Sequence, residues 1–77
     1  MRYVYEVRPI SDKSGVTLIS EALPSGRLSF GGPNSSGSAV DFAKFYGRAC
    51  DVIIRVYDLQ GNVVSEQRQK AAFGSQF

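Results

Sequence analysis

Apolar and polar residues alternate near the start of the chain, with the period of two that is typical of half-buried β-strands. The first alternating stretch covers residues 2–10 and the second covers residues 16–22. Because a cluster of turn-forming residues separates them, the two stretches predict a β-hairpin. Residues 27–30 predict a short third strand after a Pro-Ser-Gly turn.

The same alternation returns near the end of the chain. Its strongest example is residues 52–59, where Val52, Ile54 and Val56 share one face. A glycine-containing turn then leads to a final strand over residues 63–69. These two stretches predict a second hairpin.

Residues 38–50 carry the helical pattern of the sequence. Ser38 and Asp41 resemble a capping box at its start, and Gly47 is expected to permit a close approach of the helix to a sheet. Val40 lies outside the apolar arc and is expected to be partly exposed. The apolar face of the helix, at about 100° per residue, contains Ala39, Phe42, Ala43, Phe45, Tyr46, Ala49 and Cys50.

Two segments have the composition of irregular structure. Residues 31–38, rich in glycine and serine, predict a flexible loop that leads into the helix. An anion site at the helix N-terminus is the alternative, but the Gly-Lys-Ser/Thr of a phosphate loop is missing and no βαβ crossover is expected. Residues 70–77 predict a disordered tail.

The predicted elements fit one small domain, because the chain has only 77 residues. The expected fold is α+β over residues 1–77, with an antiparallel sheet of four or five strands (β-β-(β)-α-β-β) and one helix on one face. Cys50 is expected to be a buried small apolar residue rather than a reactive thiol. The predicted core contains Tyr5, Val7, Leu18, Phe42, Tyr46, Val52, Ile54 and Val56.

The second half of the chain has a further pattern, an alanine-bearing helix, a strand that runs into Asp-x-x-Gly, and a last strand. Its core and turn positions are Ala39, Phe42, Ala43, Val52, Ile54, Val56, Asp58, Gly61, and Val63 or Val64. In this pattern, residues 38–67 resemble a family of short bacterial proteins of unknown function. The resemblance implies a compact hairpin–helix–hairpin fold and brings no catalytic motif.

The amino-acid composition excludes several kinds of catalytic and metal chemistry. The chain has no histidine, one cysteine and a net charge of +2. These counts remove the commonest general base, an intrachain disulfide and a thiolate zinc cluster. We therefore expect a protein that is not an enzyme, with no cofactor and no metal site. The lone cysteine, together with the lack of a long apolar run or a signal-peptide pattern, predicts a cytoplasmic protein without a membrane partner.

The candidate functional surface is the side of the sheet opposite the predicted helix. Basic, aromatic and apolar residues meet there, and Ile53 and Leu59 are expected to expose apolar area. The surface predicts self-association into a homo-oligomer or binding of a protein partner. A further interpretation is an ordinary solvent-exposed face that binds nothing. Weak nucleic-acid binding, with help from Lys44 and Arg48, is the alternative. The proposed surface contains Arg27, Ile53, Arg55, Tyr57, Leu59 and Arg68.

Overall fold

Five strands and one helix follow one another in a computed structural model, which describes residues 2–71. The helix packs on one face of a single five-stranded sheet, so the predicted α+β class and element order are confirmed. In chain order the elements are β1 (Arg2–Pro9), β2 (Gly15–Ile19), β3 (Arg27–Gly31), α1 (Ser35–Tyr46), β4 (Asp51–Tyr57) and β5 (Val63–Gln69).

The strands lie in the order β3-β2-β1-β4-β5. Both hairpins and the β2–β3 pair are antiparallel, but β1 and β4 run parallel, with Tyr3 beside Val52 and Tyr5 beside Ile54. The prediction of a wholly antiparallel sheet is wrong for this pair. Because the β1–β2 and β2–β3 pairs are both antiparallel, β3 runs parallel to β1. The helix α1 then returns the chain to the end of the sheet where β1 begins, so β4 also runs parallel to β1. The unit β3–α1–β4 is therefore a crossover that the sequence analysis did not expect.

The core lies between α1 and the inner face of β1 to β4. The prediction was right for five buried residues, namely Tyr5, Val7, Leu18, Val52 and Ile54. Phe42 and Val56 are half-buried at the border of this core. Tyr46 is 42% exposed and stacks on the ring of Phe42, so its predicted burial is wrong.

Small side chains bring the helix close to the sheet. Ala39, Val40 and Ala43 are buried, and Val40 is only 8% exposed, which corrects its expected position outside the apolar arc. Large aromatic side chains would hold the helix away, and Phe45 accordingly lies at the solvent side with 65% exposure. A Cβ atom on Gly47 would lie 2.6 Å from Cγ1 of Val52, so the expected close approach at this glycine is confirmed.

The bounds of the helix differ from the predicted ones. α1 begins at Ser35, after Asn34, and the predicted capping box at Ser38 is wrong. Gly31 belongs to β3, so the predicted loop over residues 31–38 shrinks to the three residues between β3 and α1. Serine and glycine are weak helix formers, and packing of the helix on the sheet overrides that preference.

The chain after β5 begins beside the start of β4. The backbone N–H of Ala71 donates a 2.8 Å hydrogen bond to Oδ1 of Asp51. Most of the predicted disordered tail, from residue 72 onward, lies outside the described residues. Within residues 2–71, no helix has the length and apolar character needed to cross a membrane.

Candidate interaction surface

The outer face of the sheet is the side that α1 leaves uncovered. The strand register places Arg55 between Glu6 of β1 and Glu66 of β5. The same row continues through Ile19 to Arg27 at the far edge. Opposite charges thus stand next to each other on neighbouring strands, the arrangement that favours cross-strand pairing.

Two arginines of this face share the carboxylate of Glu66. Nε of Arg55 donates to Oε1 at 2.9 Å, and Nε of Arg68 donates to Oε2 at 3.2 Å. The hydrogen bond from Arg55, with that from Arg68, lowers the pKa of Glu66. These pairs are partly exposed and contribute little stability, but they orient the charges of the β4–β5 hairpin.

A second cluster covers the aromatic residue of β4. Nε of Arg8 donates to Oε1 of Glu6 at 2.9 Å, and the guanidinium carbon of Arg8 lies 3.9 Å from the ring centroid of Tyr57. The cation–π contact covers one face of the ring. This ring is therefore a poor platform for a stacked nucleobase.

The predicted surface residues do not form one continuous apolar patch. Ile53 is only 6% exposed, so the expectation that it exposes apolar area is wrong. Val4 and Arg68 flank Ile53 on the neighbouring strands, and long side chains on a sheet face cover such a residue. Leu59 is exposed in the β4–β5 turn, as predicted, whereas Arg27 lies apart on β3, at the opposite edge.

The more accessible surface is the free edge of β5. β5 and β3 are the two edge strands of the sheet, and α1 packs on β1 to β4. Only the end of β5 reaches the helix, where Nε2 of Gln69 donates to the carbonyl of Lys44 at 3.1 Å. The other residues of β5 are exposed, including Val63 and Val64 near the hairpin turn. A seven-residue strand with a free backbone edge is a template for pairing with another strand.

Sequence analysis missed the acidic partners on this surface. Glu66 pairs with Arg55 and Arg68 of the predicted surface, and Glu6 pairs with Arg8, which was not assigned to that surface. The period-two pattern did place Glu6 and Arg8 on one face of β1. The pairing of Arg55 with Glu66 across strands required the register, which the sequence alone does not supply.

The described residues hold no group of three or more metal-ligating side chains. No protein-family model, curated protein or solved structure matches the chain. The resemblance of residues 38–67 to a bacterial family therefore stays a prediction, and the function must be argued from the geometry of the molecule.

Proposed function

We propose that this protein is a self-associating module, not an enzyme, in which the free edge of β5 pairs with β5 of a second copy. The observation that carries the proposal is the order of charges on that strand. An antiparallel pair centred on Gln67 places Glu66 of each copy opposite Arg68 of the other. Both symmetry-related positions then hold opposite charges, and the two five-stranded sheets join into one.

The neighbouring positions fit the same register. Val64 would face the aliphatic stem of Lys70 of the second copy. Val64 is 59% exposed in the single chain. Lysine stems cover apolar surface while their ammonium groups stay in water. The contact therefore adds apolar burial at both ends of the charged centre.

An antiparallel pair whose centre lies one residue earlier lacks this complementarity. Centred on Glu66, the antiparallel pair would place the two Glu66 carboxylates opposite each other. Like charges directly opposite destabilise a strand pair. The charge pattern thus favours the alignment centred on Gln67 over the one centred on Glu66, and polar edge residues give specificity to backbone pairing in this way.

One strand pair is a small contact for a protein interface. Specific interfaces bury roughly 1,200–2,000 Å² in total, and smaller ones are weak and transient. We therefore expect association to become measurable only at concentrations of about 0.1 mM or above.

The lone cysteine fits a reducing compartment, and we place this module in the cytoplasm.

The other uses of the surface are less well supported. Nucleic-acid binding is favoured by an excess of positive charge, but on this face Glu6 and Glu66 offset part of the charge of the neighbouring arginines. A strand from a different protein is also able to add to the same edge. The self-complementary charge pattern of β5 favours a second copy as the partner. For a strand of a different protein, β5 offers no comparable reason for a match.

The test measures molar mass by sedimentation velocity from about 10 µM to about 1 mM. The natural chain is expected to shift from monomer to dimer, and Arg68→Glu is expected to remain a monomer. Arg27→Glu makes the same charge change on the other edge strand and should dimerise normally. Circular dichroism confirms that each variant is folded.

A complementation experiment makes the register itself testable. Glu66→Arg alone places arginine opposite Arg68 of the second copy and should prevent association. Mixed with Arg68→Glu, it restores an opposite charge at both positions, so the mixture should form a heterodimer. If the two variants do not associate when mixed, or if each dimerises alone, the proposed register is wrong.

Added oligonucleotide separates the remaining alternatives. Single- and double-stranded DNA at low salt should leave the mass of the protein unchanged. A complex that dissociates as salt is raised would indicate the nucleic-acid function instead. A natural chain that stays monomeric up to about 1 mM would remove self-association and leave a foreign strand as the partner.

A further inference from the structure

The first half of β1 has a free backbone edge inside the sheet. β4 pairs with residues 2–7 of β1 on one side, but on the other side β2 ends at Ile19 and pairs only with residues 6–9. Residues 2–5 therefore have a strand neighbour on one side only. In the described chain, no backbone hydrogen bond joins them to residues 20–26, the segment that follows β2. A strand edge without a partner is a template for a further strand.

The backbone groups of Arg2 and Val4 point to this free edge. The N–H of Ile10 donates to the carbonyl of Gly15 at 2.9 Å, and these two residues continue the antiparallel register of β1 with β2. Ile10 therefore turns its backbone N–H and C=O toward the β2 side. Because these groups change sides from one residue to the next, every second residue of β1 does the same. The series is Ile10, Arg8, Glu6, Val4 and Arg2.

A surface depression of about 390 Å³ borders the free edge. The segment after β2 bends toward the helix side, because Leu23 is buried in the core and Ala22 packs against it. We call the gap that it leaves the notch. The pairing of Ile19 with Glu6 closes one end of the notch, and no pairing within residues 2–71 closes the other end beside Arg2. Its lining includes Arg2, Tyr3, Val4, Ile19, Ser20 and Glu21.

The charges that line the notch distinguish the two directions in which a bound strand could run. A strand antiparallel to β1 begins at the closed end and places its α-amino group there, whereas a parallel strand places its carboxylate there. Glu6 and Glu21 both border the notch, and Glu21 forms no ion pair among the described residues. Two carboxylates attract an ammonium group and repel a carboxylate. The charges therefore favour an antiparallel strand.

We propose that the notch binds the free N-terminus of an extended segment of another protein. The first residue of this segment stands opposite Val4, exchanges two backbone hydrogen bonds with it and places its α-amino group beside Glu6 and Glu21. The third residue pairs with Arg2 in the same way. A chain terminus fits better than an internal segment, because Ile19 prevents the bound chain from continuing along β1.

The second residue of the bound segment determines its side-chain preference. It stands opposite Tyr3, and residues that face each other across an antiparallel pair share one side of the sheet. Tyr3 is half-buried and packs against the core on the helix side. An apolar second residue such as leucine is therefore favoured. The inference is independent of self-association through β5, since the notch lies between β1 and the end of β2, on the other side of β4.

The experiment titrates the full chain with the tripeptide Ala-Leu-Ala-amide, followed by amide NMR shifts. Saturable shifts are expected at Val4, Ser20 and Glu21, with a Kd on the order of 1 mM because few bonds are formed. The matched probe is the N-acetylated tripeptide, which has the same side chains but no ammonium group. It should bind about tenfold more weakly or worse, the usual effect of losing a charged hydrogen bond.

Two N-methylated tripeptides test the alignment with β1. Methylation at the third residue removes the N–H that donates to the carbonyl of Arg2 and should abolish saturable binding. Methylation at the second residue is the control, because its N–H points away from β1, and it should weaken binding far less. Equal weakening by the two methyl groups would contradict the proposed alignment.

Protein variants test the acidic end of the notch. Glu21→Gln should weaken binding of the free-amine tripeptide by about two- to fivefold, as for an exposed ion pair, and leave the acetylated one unchanged. Asp12→Asn makes the same charge change in the turn between β1 and β2 and should change neither affinity. Arg68→Glu should also bind the tripeptide normally, which separates this inference from association through β5. Circular dichroism confirms that each variant is folded.

Three outcomes would overturn the inference. The first is a lack of saturable shifts with the free-amine tripeptide up to about 10 mM. The second is equally tight binding of the acetylated tripeptide, which would show that the carboxylates do not recognise the amine. The third is a set of shifts along β5 in place of the notch, which would show that the peptide adds to the outer edge of the sheet.

Discussion

Gly47→Ala is the sharpest test of how closely the helix approaches the sheet. Gly47 ends α1 with φ −95°, a conformation that alanine adopts without strain. The obstacle is space, because the new Cβ would lie 2.6 Å from Cγ1 of Val52 and 3.2 Å from the carbonyl oxygen of Ala43. Val52 is 1% exposed in the core, so it has little room to move.

The expected magnitude follows from two opposing effects. Replacing glycine by alanine at a compatible φ stabilises a fold by about 0.4–1 kcal/mol, through the entropy of the unfolded chain. Overpacking of a core costs about 1–3 kcal/mol, since carbon atoms must separate to roughly 3.5–4.0 Å. The net loss in the free energy of unfolding should be about 1–2 kcal/mol. For a domain of this size that lowers the melting temperature by about 4–16 °C.

Gly37→Ala provides the matched control within the same helix. Gly37 is exposed, and a Cβ there would meet nothing within 4 Å. The same substitution should therefore raise the free energy of unfolding by about 0.4–1 kcal/mol. Urea denaturation of both variants measures the two signs. If Gly47→Ala proves as stable as the natural chain, the close packing of α1 on Val52 is wrong.

Further predictions concern the aromatic border, the hairpin turn and the outer face. Phe42→Ala should cost about 2–3 kcal/mol by urea denaturation, less than a fully buried phenylalanine, because Phe42 is half-buried; a loss below about 1 kcal/mol would contradict its packing. Hydrogen bonds to the carboxylate, chiefly from the N–H of Asn62, lower the pKa of Asp58 in the folded protein. The carboxylate therefore contributes its full stabilisation above the unfolded pKa of about 3.9. This stabilisation disappears as the pH falls through the lower folded pKa. The stability difference from Asp58→Ala should therefore shrink in acid, and a constant difference down to about pH 2 would contradict this reasoning. Ile53→Ala should cost about 2 kcal/mol and the exposed Leu59→Ala less than about 0.5 kcal/mol, and equal losses would show that the outer face does not bury Ile53.

Local pattern was sufficient to predict the strands and most of the core. Alternation along β1 and β4 identified Tyr5, Val7 and Ile54 as inner-face residues, and all three are buried. This works because successive side chains of a strand point to opposite faces, so one buried residue determines the faces of its neighbours. The same alternation placed Ile53 on the outer face, but it did not indicate how far its neighbours would cover it.

The helix and the strand directions were harder to predict. Residues 35–38 have low helix propensity, and only packing on the sheet favours the helical conformation there. Apolar periodicity could not show that small residues form the centre of the helix–sheet contact, with Phe42 at its border against Phe30. The parallel pairing of β1 with β4 depends on where the helix returns the chain, a property of the whole topology.

The parallel pairing also creates a surface depression between β1 and the end of α1 that sequence analysis did not anticipate. In a parallel pair the start of β1 lies beside the start of β4, so Tyr3 stands next to Val52, two residues after Cys50. An antiparallel pair would have placed Tyr3 at the far end of β4, away from the helix terminus. Tyr5, Gly47 and Cys50 are brought together only by the observed direction.

The same topology leaves β5 open for association. The crossover helix spans the strands between β3 and β4, and β5 is added beyond β4 by a hairpin, outside most of the area that α1 covers. A strand in that position gains its hydrogen bonds on one edge only, from β4. Charged residues usually protect such an edge from random pairing. In β5 the spacing of Glu66 and Arg68 is complementary to itself under a two-fold axis. In the proposed pairing, the charges that discourage foreign strands would therefore favour a second copy.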